Sequence, residues 1–237
     1  MFIFKQRKVV VDCFVNQAII LEECSIKRSS AYTPQWWKDL EIVATRPTEF
    51  GIDVPFPTMK TCSGFVYLFS SSWTIPLWVD LIVKTTEEGR WSYCAAKSTE
   101  KIGLELVNSH NRQQFGKGFE NHIHLKLECP WIISDKAGIK FLFASADWNL
   151  ISEYPDLRIP LGLINFKDTA HPNVNAFVPK KNATYSLNAG TPMVYLIPLT
   201  ERKVEFKNHL VSDEEYAKMS KYITHRSNKF RNGLQKW

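Results

Sequence analysis

The alternation of apolar and polar residues at 121–148 constrains the fold more than any other feature of the chain. Ile123, Leu125 and Leu127 alternate with polar residues, and this period of two is typical of a strand with one buried face. Residues with turn composition at 134–138 separate this strand from a later apolar run. The stretch therefore predicts two or three strands of a β-rich body.

Further apolar runs, bounded by Gly, Pro and Asn, predict strands along the rest of the chain. They lie at 2–21 (an opening hairpin), 73–83, 91–95, 159–166, 176–179 and 185–199 (a second hairpin). The second hairpin is expected to form the layer that faces the 121–148 strands. Because strands do not alternate with helices, we predict a mainly β fold, a single β-sandwich or jelly-roll-like domain over residues 1–211 with short peripheral helices.

Two short segments between the predicted opening hairpin and the predicted strand at 73–83 are expected to be helical or irregular. Residues 34–40 predict a helix with Thr33 as its N-cap and Pro34 at its first position. Residues 46–57 predict a loop, because four of them are Pro or Gly.

Two tryptophans precede this loop and one short apolar run follows it. Trp36 and Trp37 are expected to pack the short helix against the body, since buried indoles are common anchors. The run at 62–71 fits either a helix or a buried strand, because periodicity does not separate the two over so few residues.

Residues 212–237 predict a basic amphipathic C-terminal helix that packs on the β body or extends from it. Ser212 and Glu215 have the spacing of a capping box. From Arg202 onward there are nine Lys and Arg residues against four Asp and Glu residues. The residues expected to bind a partner are Tyr216, Met219, Ile223, Arg226, Lys229 and Phe230.

Composition bounds the class of protein. Of the 237 residues, 44% are hydrophobic, including 15 Phe and 8 Trp, which is ample for a packed core. The five widely spaced cysteines favour reduced thiols over a disulfide framework. Neither a signal peptide nor an apolar run of about 20 residues is evident, so we expect no secretion and no membrane partner.

A possible metal site lies on the 121–148 stretch. The pattern His122-x-His124-x₃-Glu128 is similar to the first metal-binding motif of the cupins, and Gly116 precedes it at that motif's spacing. With His171 as a further ligand, these side chains suit Fe, Mn or Zn. This resemblance implies a metal-dependent oxygenase or isomerase.

The expected strand geometry opposes that metal site. In a straight strand, four residues at about 3.3 Å each place Glu128 roughly 13 Å from His124. Residues 125–127 carry no turn signal. The favoured interpretation is therefore a solvated strand face that carries two histidines, with no cofactor.

Five phrases of the sequence resemble, in the same order, an uncharacterised protein family of bacteria and of tailed phages, notably myoviruses of marine cyanobacteria. They lie at 34–38, 59–62, 75–80, 129–131 and 189–198. The family carries no established activity or catalytic residues. The resemblance implies a phage context, in the host cytoplasm or in the virion.

The leading functional hypothesis is a non-enzymatic, phage-type structural or protein-interaction protein. We found no phosphate-binding loop, nucleophile elbow or His-Glu-x-x-His motif in the sequence. The expected partner is a protein or a virion component, and self-association into an oligomer is left open as an alternative. Nucleic acid is a less favoured partner, since the basic tail lacks an exposed array of aromatic side chains.

Overall fold

The computed structural model describes residues 8–95, 106–115 and 117–221. The strands in this part of the chain are β1 (Val9–Val15), β2 (Lys27–Arg28), β3 (Val43–Pro47), β4 (Asp53–Pro57), β5 (Trp73–Pro76), β6 (Leu81–Thr85), β7 (Trp91–Ala95), β8 (Val107–Asn108), β9 (His122–Leu127), β10 (Ile132–Asp135), β11 (Lys140–Ser145), β12 (Gly162–Asn165), β13 (Val174–Pro179), β14 (Ala183–Leu187), β15 (Pro192–Pro198) and β16 (Val204–Leu210). The helices are α1 (Ala18–Glu23), α2 (Gln35–Asp39), α3 (Ser63–Ser71), α4 (Asp147–Leu150) and a C-terminal helix whose described part is 213–221.

The strands form several small sheets, so the mainly β class is confirmed. Their orders are β10-β1-β16, β12-β11-β15-β5-β2, β13-β9-β8 and β14-β6-β7, with β3 and β4 as a separate pair. Among the strands of the described residues, pairing is antiparallel except between β1 and β16, which run parallel. The sheets are open, and this pairing does not confirm a single sandwich or jelly roll.

One hydrophobic core joins the four larger sheets. Phe141 on β11 is fully buried, and its ring centroid lies 5.3 Å from that of Phe166 and 5.7 Å from that of Phe206 on β16. Phe206 also contacts Trp73 on β5, at 4.7 Å between centroids. Side chains of the β10-β1-β16 sheet and of the five-stranded sheet therefore interdigitate, as in a close-packed interior.

Two or three strands were predicted between 121 and 148, and the structure forms three there, β9, β10 and β11. They enter three different sheets, with β10 paired to β1 and β11 paired to β15. The turn at 134–138 is also confirmed. Asp135 closes it by accepting hydrogen bonds from the N–H groups of Ala137 and Ile139, at 2.8 and 2.7 Å.

Both predicted hairpins outside this stretch are wrong. In the opening segment β1 is followed by α1, and residues 2–7 lie outside the described chain. At 185–199, β14 pairs with β6 while β15 pairs with β11 and β5. At the turn, the backbone of Leu77 exchanges hydrogen bonds with Gly190 and Thr191, so the segment between β5 and β6 takes the place of a direct β14–β15 pairing.

The helix predictions are largely confirmed. The open choice at 62–71 resolves to helix α3. α2 begins one residue later than predicted, with Pro34 rather than Thr33 as its N-cap, because Pro34 has a non-helical ψ of 147°. The Thr33 hydroxyl donates to Ser30 O. Of the two tryptophans expected to pack, Trp37 stacks on Phe65 at 5.3 Å and is partly buried, whereas Trp36 is 39% exposed.

The described part of the C-terminal helix contacts the body through Tyr216, while most of its other described residues are exposed. Its capping box is formed, since the N–H of Glu215 donates to the Ser212 hydroxyl and the Glu215 carboxylate accepts from the Ser212 N–H. Tyr216 Oη donates to Pro130 O at 2.6 Å, and burial raises the pKa of this hydroxyl. No helix in the described residues is long and apolar enough to cross a membrane.

Candidate functional site

His124 is buried, although a solvated strand face was expected. Its side chain lies in β9 and is only 6% exposed, because the segment before the strand folds over it. His110 supplies the cover, with its ring stacked on His124 at 4.9 Å between centroids. His122, two residues earlier, is exposed as predicted. The predicted pair of histidines therefore divides between two environments.

Hydrogen bonds define the state of the buried imidazole. Nδ1 of His124 accepts from the backbone N–H of His110 at 3.0 Å, so its proton lies on Nε2. Nε2 then donates to Asn175 Oδ1 at 3.1 Å, from the neighbouring strand β13. Burial lowers the pKa of His124 from its ordinary 6.5. Both ring nitrogens of this neutral imidazole are thus already bonded within the protein.

The ring nitrogens of His124 bond to neither Glu128 nor His171. The carboxylate of Glu128 pairs with Lys126 Nζ at 2.5 Å. His171 lines a cleft of about 750 Å³ together with Lys126 and Asn175. Burial also lowers the pKa of His171.

The four predicted metal ligands do not form one group. Over residues 8–95, 106–115 and 117–221, no three or more His, Cys, Asp or Glu side chains are placed to hold a metal ion. β9 is a regular strand over His122–Leu127, so the chain does not turn to return Glu128 to the imidazoles. Gly116, the first residue of the motif, lies outside the described residues.

Acidification should destabilise the protein through His124. Because the pKa of His124 is lower in the folded state, below about pH 6.5 the unfolded chain binds a proton at this residue while the folded chain does not. The contribution of neutral His124 to the free energy of unfolding is therefore fully present above that pH. It is lost as the pH falls toward the folded pKa. Urea denaturation of the wild type at pH 7.5 and 5 should show a lower free energy of unfolding at pH 5.

The variant His124→Gln tests the origin of that loss. Glutamine keeps a donor toward Asn175 but does not titrate, so we expect a smaller loss between pH 7.5 and 5. His171 has the same direction of shift, so some loss should persist. His122→Gln, on the exposed side of the same strand, is the control for removing one imidazole. Equal losses in the two variants would contradict the assignment to His124.

A surface that sequence reasoning missed lies at residues 42–57. The predicted loop is instead a β-hairpin, formed by β3 and β4 and here called the apolar hairpin. Its large apolar side chains are 38–88% exposed, and they are Ile42, Val43, Phe50, Ile52, Val54 and Phe56. None of these six belongs to the hydrophobic core.

The positions of the prolines explain why a Pro-rich segment forms strands. Thr48 N donates to Ile52 O and Thr58 N donates to Ile42 O, so the even-numbered residues exchange the hydrogen bonds between the strands. The prolines at 47, 55 and 57 all occupy odd positions, where the missing N–H would point outward. The signal was therefore available in the sequence as the parity of the prolines.

The base of the apolar hairpin is anchored to the body. Thr58 Oγ1 donates to Glu41 O at 2.5 Å and ties the two ends of the hairpin together. Lys60 Nζ donates to Lys38 O at 2.7 Å and lies 4.7 Å above the ring of Trp37. The hairpin thus projects from a fixed base formed by α2 and the residues before α3.

Other exposed apolar side chains lie in α2, α3, α4 and the segment between β4 and α3. They are Trp36, Met59, Val66, Tyr67 and Trp148. Trp36 Nε1 donates to Trp148 O at 3.2 Å, and the Trp36 ring contacts Phe65 edge-on at 5.7 Å. The apolar hairpin therefore rises from a surface that is itself rich in aromatic groups.

The predicted partner-binding residues of the C-terminal helix have different placements. Tyr216 contacts the body through its bond to Pro130, and Met219 is half-buried. Ile223, Arg226, Lys229 and Phe230 lie outside the described residues. Their role in partner binding stays a prediction.

Comparison with known proteins adds no family to this description. No family model matches the chain, and no curated protein or solved structure is similar to it.

Proposed function

We propose that the chain is a non-enzymatic protein-interaction protein that docks on a partner protein through the apolar hairpin. The observation that carries this proposal is the exposure of six large apolar side chains on one two-stranded element. Large exposed apolar side chains concentrated on one element favour an interaction site.

The energetics of a two-stranded ribbon support this proposal. An isolated hairpin in water is marginally stable, and a third strand or a packed face normally completes it. Here both faces of the apolar hairpin are exposed, and within the described residues β3 and β4 pair with no further strand. Burial of its apolar side chains against a partner would supply about 25 cal/mol per Å² of apolar surface removed from water.

The residues of the hairpin indicate the chemistry of the partner surface. Val54 and Phe56 share one face, because they occupy even positions of β4. Ile42 precedes β3 and continues that face, since its carbonyl accepts from Thr58 N in the same alternation. The Arg46 guanidinium lies 5.9 Å from the Phe56 ring centroid on that same face. A mainly aliphatic or aromatic protein surface with an acidic group near its margin complements this arrangement.

The resemblance to a bacterial and tailed-phage family supports a phage or host protein as the partner. On that basis the protein acts in the host cytoplasm or in the virion. The C-terminal helix is a second docking element in this proposal. Tyr216 bonds to Pro130 of the body, and this contact would orient the start of the helix toward a partner.

Site-specific photocrosslinking tests the proposal. A photoreactive p-benzoylphenylalanine replaces Phe50, which lies at the tip of the apolar hairpin and is 88% exposed. In the cells that naturally make the protein, irradiation should yield a discrete adduct with another protein, identified by mass spectrometry. The double variant Val54→Ser/Phe56→Ser should lower the adduct yield at least tenfold.

A photocrosslinker at Leu199 provides the matched control. Leu199 is also apolar and 52% exposed, but it lies at the end of β15 and outside the hairpin. An adduct yield at position 50 no greater than that at position 199 would contradict docking through the apolar hairpin.

A further inference from the structure

The two outer edges of the apolar hairpin differ in their capacity to accept another strand. Odd-numbered residues direct their N–H and C=O groups away from the hairpin, and in β4 two of these, Pro55 and Pro57, have no N–H. In β3 the corresponding residues, Val43 and Thr45, each present both an N–H and a C=O. A strand can therefore add to the β3 edge, whereas the β4 edge is protected.

The open part of the β3 edge is short and symmetric about Ala44. Val43 and Thr45 flank Ala44 at equal distances, and both ends of the row are closed. Pro47 has no N–H to donate at one end. At the other end, Glu41 O already accepts the Thr58 hydroxyl.

This edge complements a second copy of itself in antiparallel orientation. With Ala44 opposite Ala44 of the second copy, each Val43 faces a Thr45 and the two residues exchange both hydrogen bonds. In the same register Pro47 faces Glu41 of the second copy. Pro47 has no N–H to donate, and the Glu41 carbonyl opposite it already accepts the Thr58 hydroxyl, so no acceptor is left unsatisfied. The small side chain of alanine at the centre permits the close approach of a pair without hydrogen bonds, at about 4.5 Å between Cα atoms.

We propose that two copies of this chain form a symmetric dimer by pairing their β3 strands about Ala44, which creates a continuous four-stranded sheet. The inference rests on the proposed function in taking the apolar hairpin as an interaction element. Association stops at two copies, because the outer strands of the new sheet are the two proline-protected β4 edges.

The dimer also enlarges the docking surface. Because even-numbered residues share a face, Ile42, Val54 and Phe56 of both copies lie on the same side of the four-stranded sheet. A partner protein therefore meets a doubled apolar face, presented by a sheet with enough strands to be stable in water.

A disulfide across the two-fold axis tests the register. The variant Ala44→Cys is made in a Cys94→Ser background, since Cys94 is the exposed native cysteine. The expected Cα separation of about 4.5 Å falls within the range of disulfides, so mild oxidation should link most of the protein as dimers on a non-reducing gel.

The control cysteine is Glu49→Cys in the same background. Residue 49 is exposed near the hairpin tip, and in the proposed register its two copies lie roughly 30 Å apart. It should form few linked dimers. Equal yields for the two cysteines would overturn the proposed register and the proposal with it.

The variant Thr45→Pro tests the edge itself. Position 45 lies opposite the native Pro55, and its N–H does not bond to β4, so proline should leave the hairpin intact. We expect light scattering to show twice the 27.4 kDa chain mass for the wild type and for Thr45→Val, which keeps the N–H. Thr45→Pro should dissociate at concentrations at least tenfold higher than the wild type does.

The results separate this inference from the proposed function. A monomeric wild type, or a Thr45→Pro variant as dimeric as the wild type, would overturn the β3 dimer. Photocrosslinking to a different protein at position 50 would still support partner docking in that case. A β3 dimer without any such adduct would support the dimer and count against the docking of a separate partner.

Discussion

Replacing Phe141 by alanine is expected to lower the free energy of unfolding by about 3–5 kcal/mol. The side chain is fully buried and contacts Phe166 and Phe206, which belong to different parts of the core. Truncation leaves a cavity where the β10-β1-β16 sheet meets the five-stranded sheet. The surrounding strands cannot collapse into that cavity fully. Urea denaturation at neutral pH, compared with the wild type, measures the loss.

Leu163→Ala is the matched control for Phe141→Ala. Leu163 lies on β12, the strand next to β11, but its side chain is 63% exposed. Its truncation should change the free energy of unfolding by less than about 0.5 kcal/mol. Equal losses in the two variants would show that the Phe141 ring does not join the two sheets.

Replacing Asp135 by alanine is expected to cost about 2–4 kcal/mol of stability. Its carboxylate is 2% exposed, and its two oxygens accept the N–H groups of Ala137 and Ile139. Alanine would leave both N–H groups without a partner in the turn that leads into β11. Thermal and urea denaturation of the purified variant measure the effect.

Asp135→Asn distinguishes the hydrogen bonds from the side-chain volume. Asparagine has nearly the same size but only one acceptor oxygen, so it can accept from Ala137 or Ile139 and not from both. Its loss of stability should be intermediate between those of the wild type and Asp135→Ala. If Asp135→Asn unfolds with the same free energy as the wild type, the turn does not depend on the second acceptor oxygen of Asp135.

Local signals in the sequence were sufficient where neighbouring residues alone decide the structure. The alternation at 123–127 predicted β9, because successive side chains of a strand point to opposite faces. The capping box of Ser212 and Glu215 is formed, since both partners lie within one helical turn. The turn at 134–138 likewise closes on its own Asp135 and contains Gly138 at a φ of +68°.

The candidate interaction surface was missed for a different reason. Proline was taken as a sign of a loop, yet it prevents pairing only where its N–H would have to bond to the neighbouring strand. At Pro47, Pro55 and Pro57 that group points outward, so β3 and β4 still pair. The exposure of Phe50 and Ile52 was not predictable, because an apolar residue in a sequence does not reveal whether anything covers it.

By itself the sequence determined the mainly β class, the strand at 122–127 and the capped start of the C-terminal helix. For residues 62–71 it left a helix and a buried strand as alternatives, and the structure forms helix α3. Only the tertiary structure decided which strands pair, because apolar alternation reports the buried face of a strand and says nothing about its edges. That is why β14 and β15 separate into different sheets. It also decided the state of His124, since the segment that covers it comes from residues before the strand and no local pattern encodes that contact.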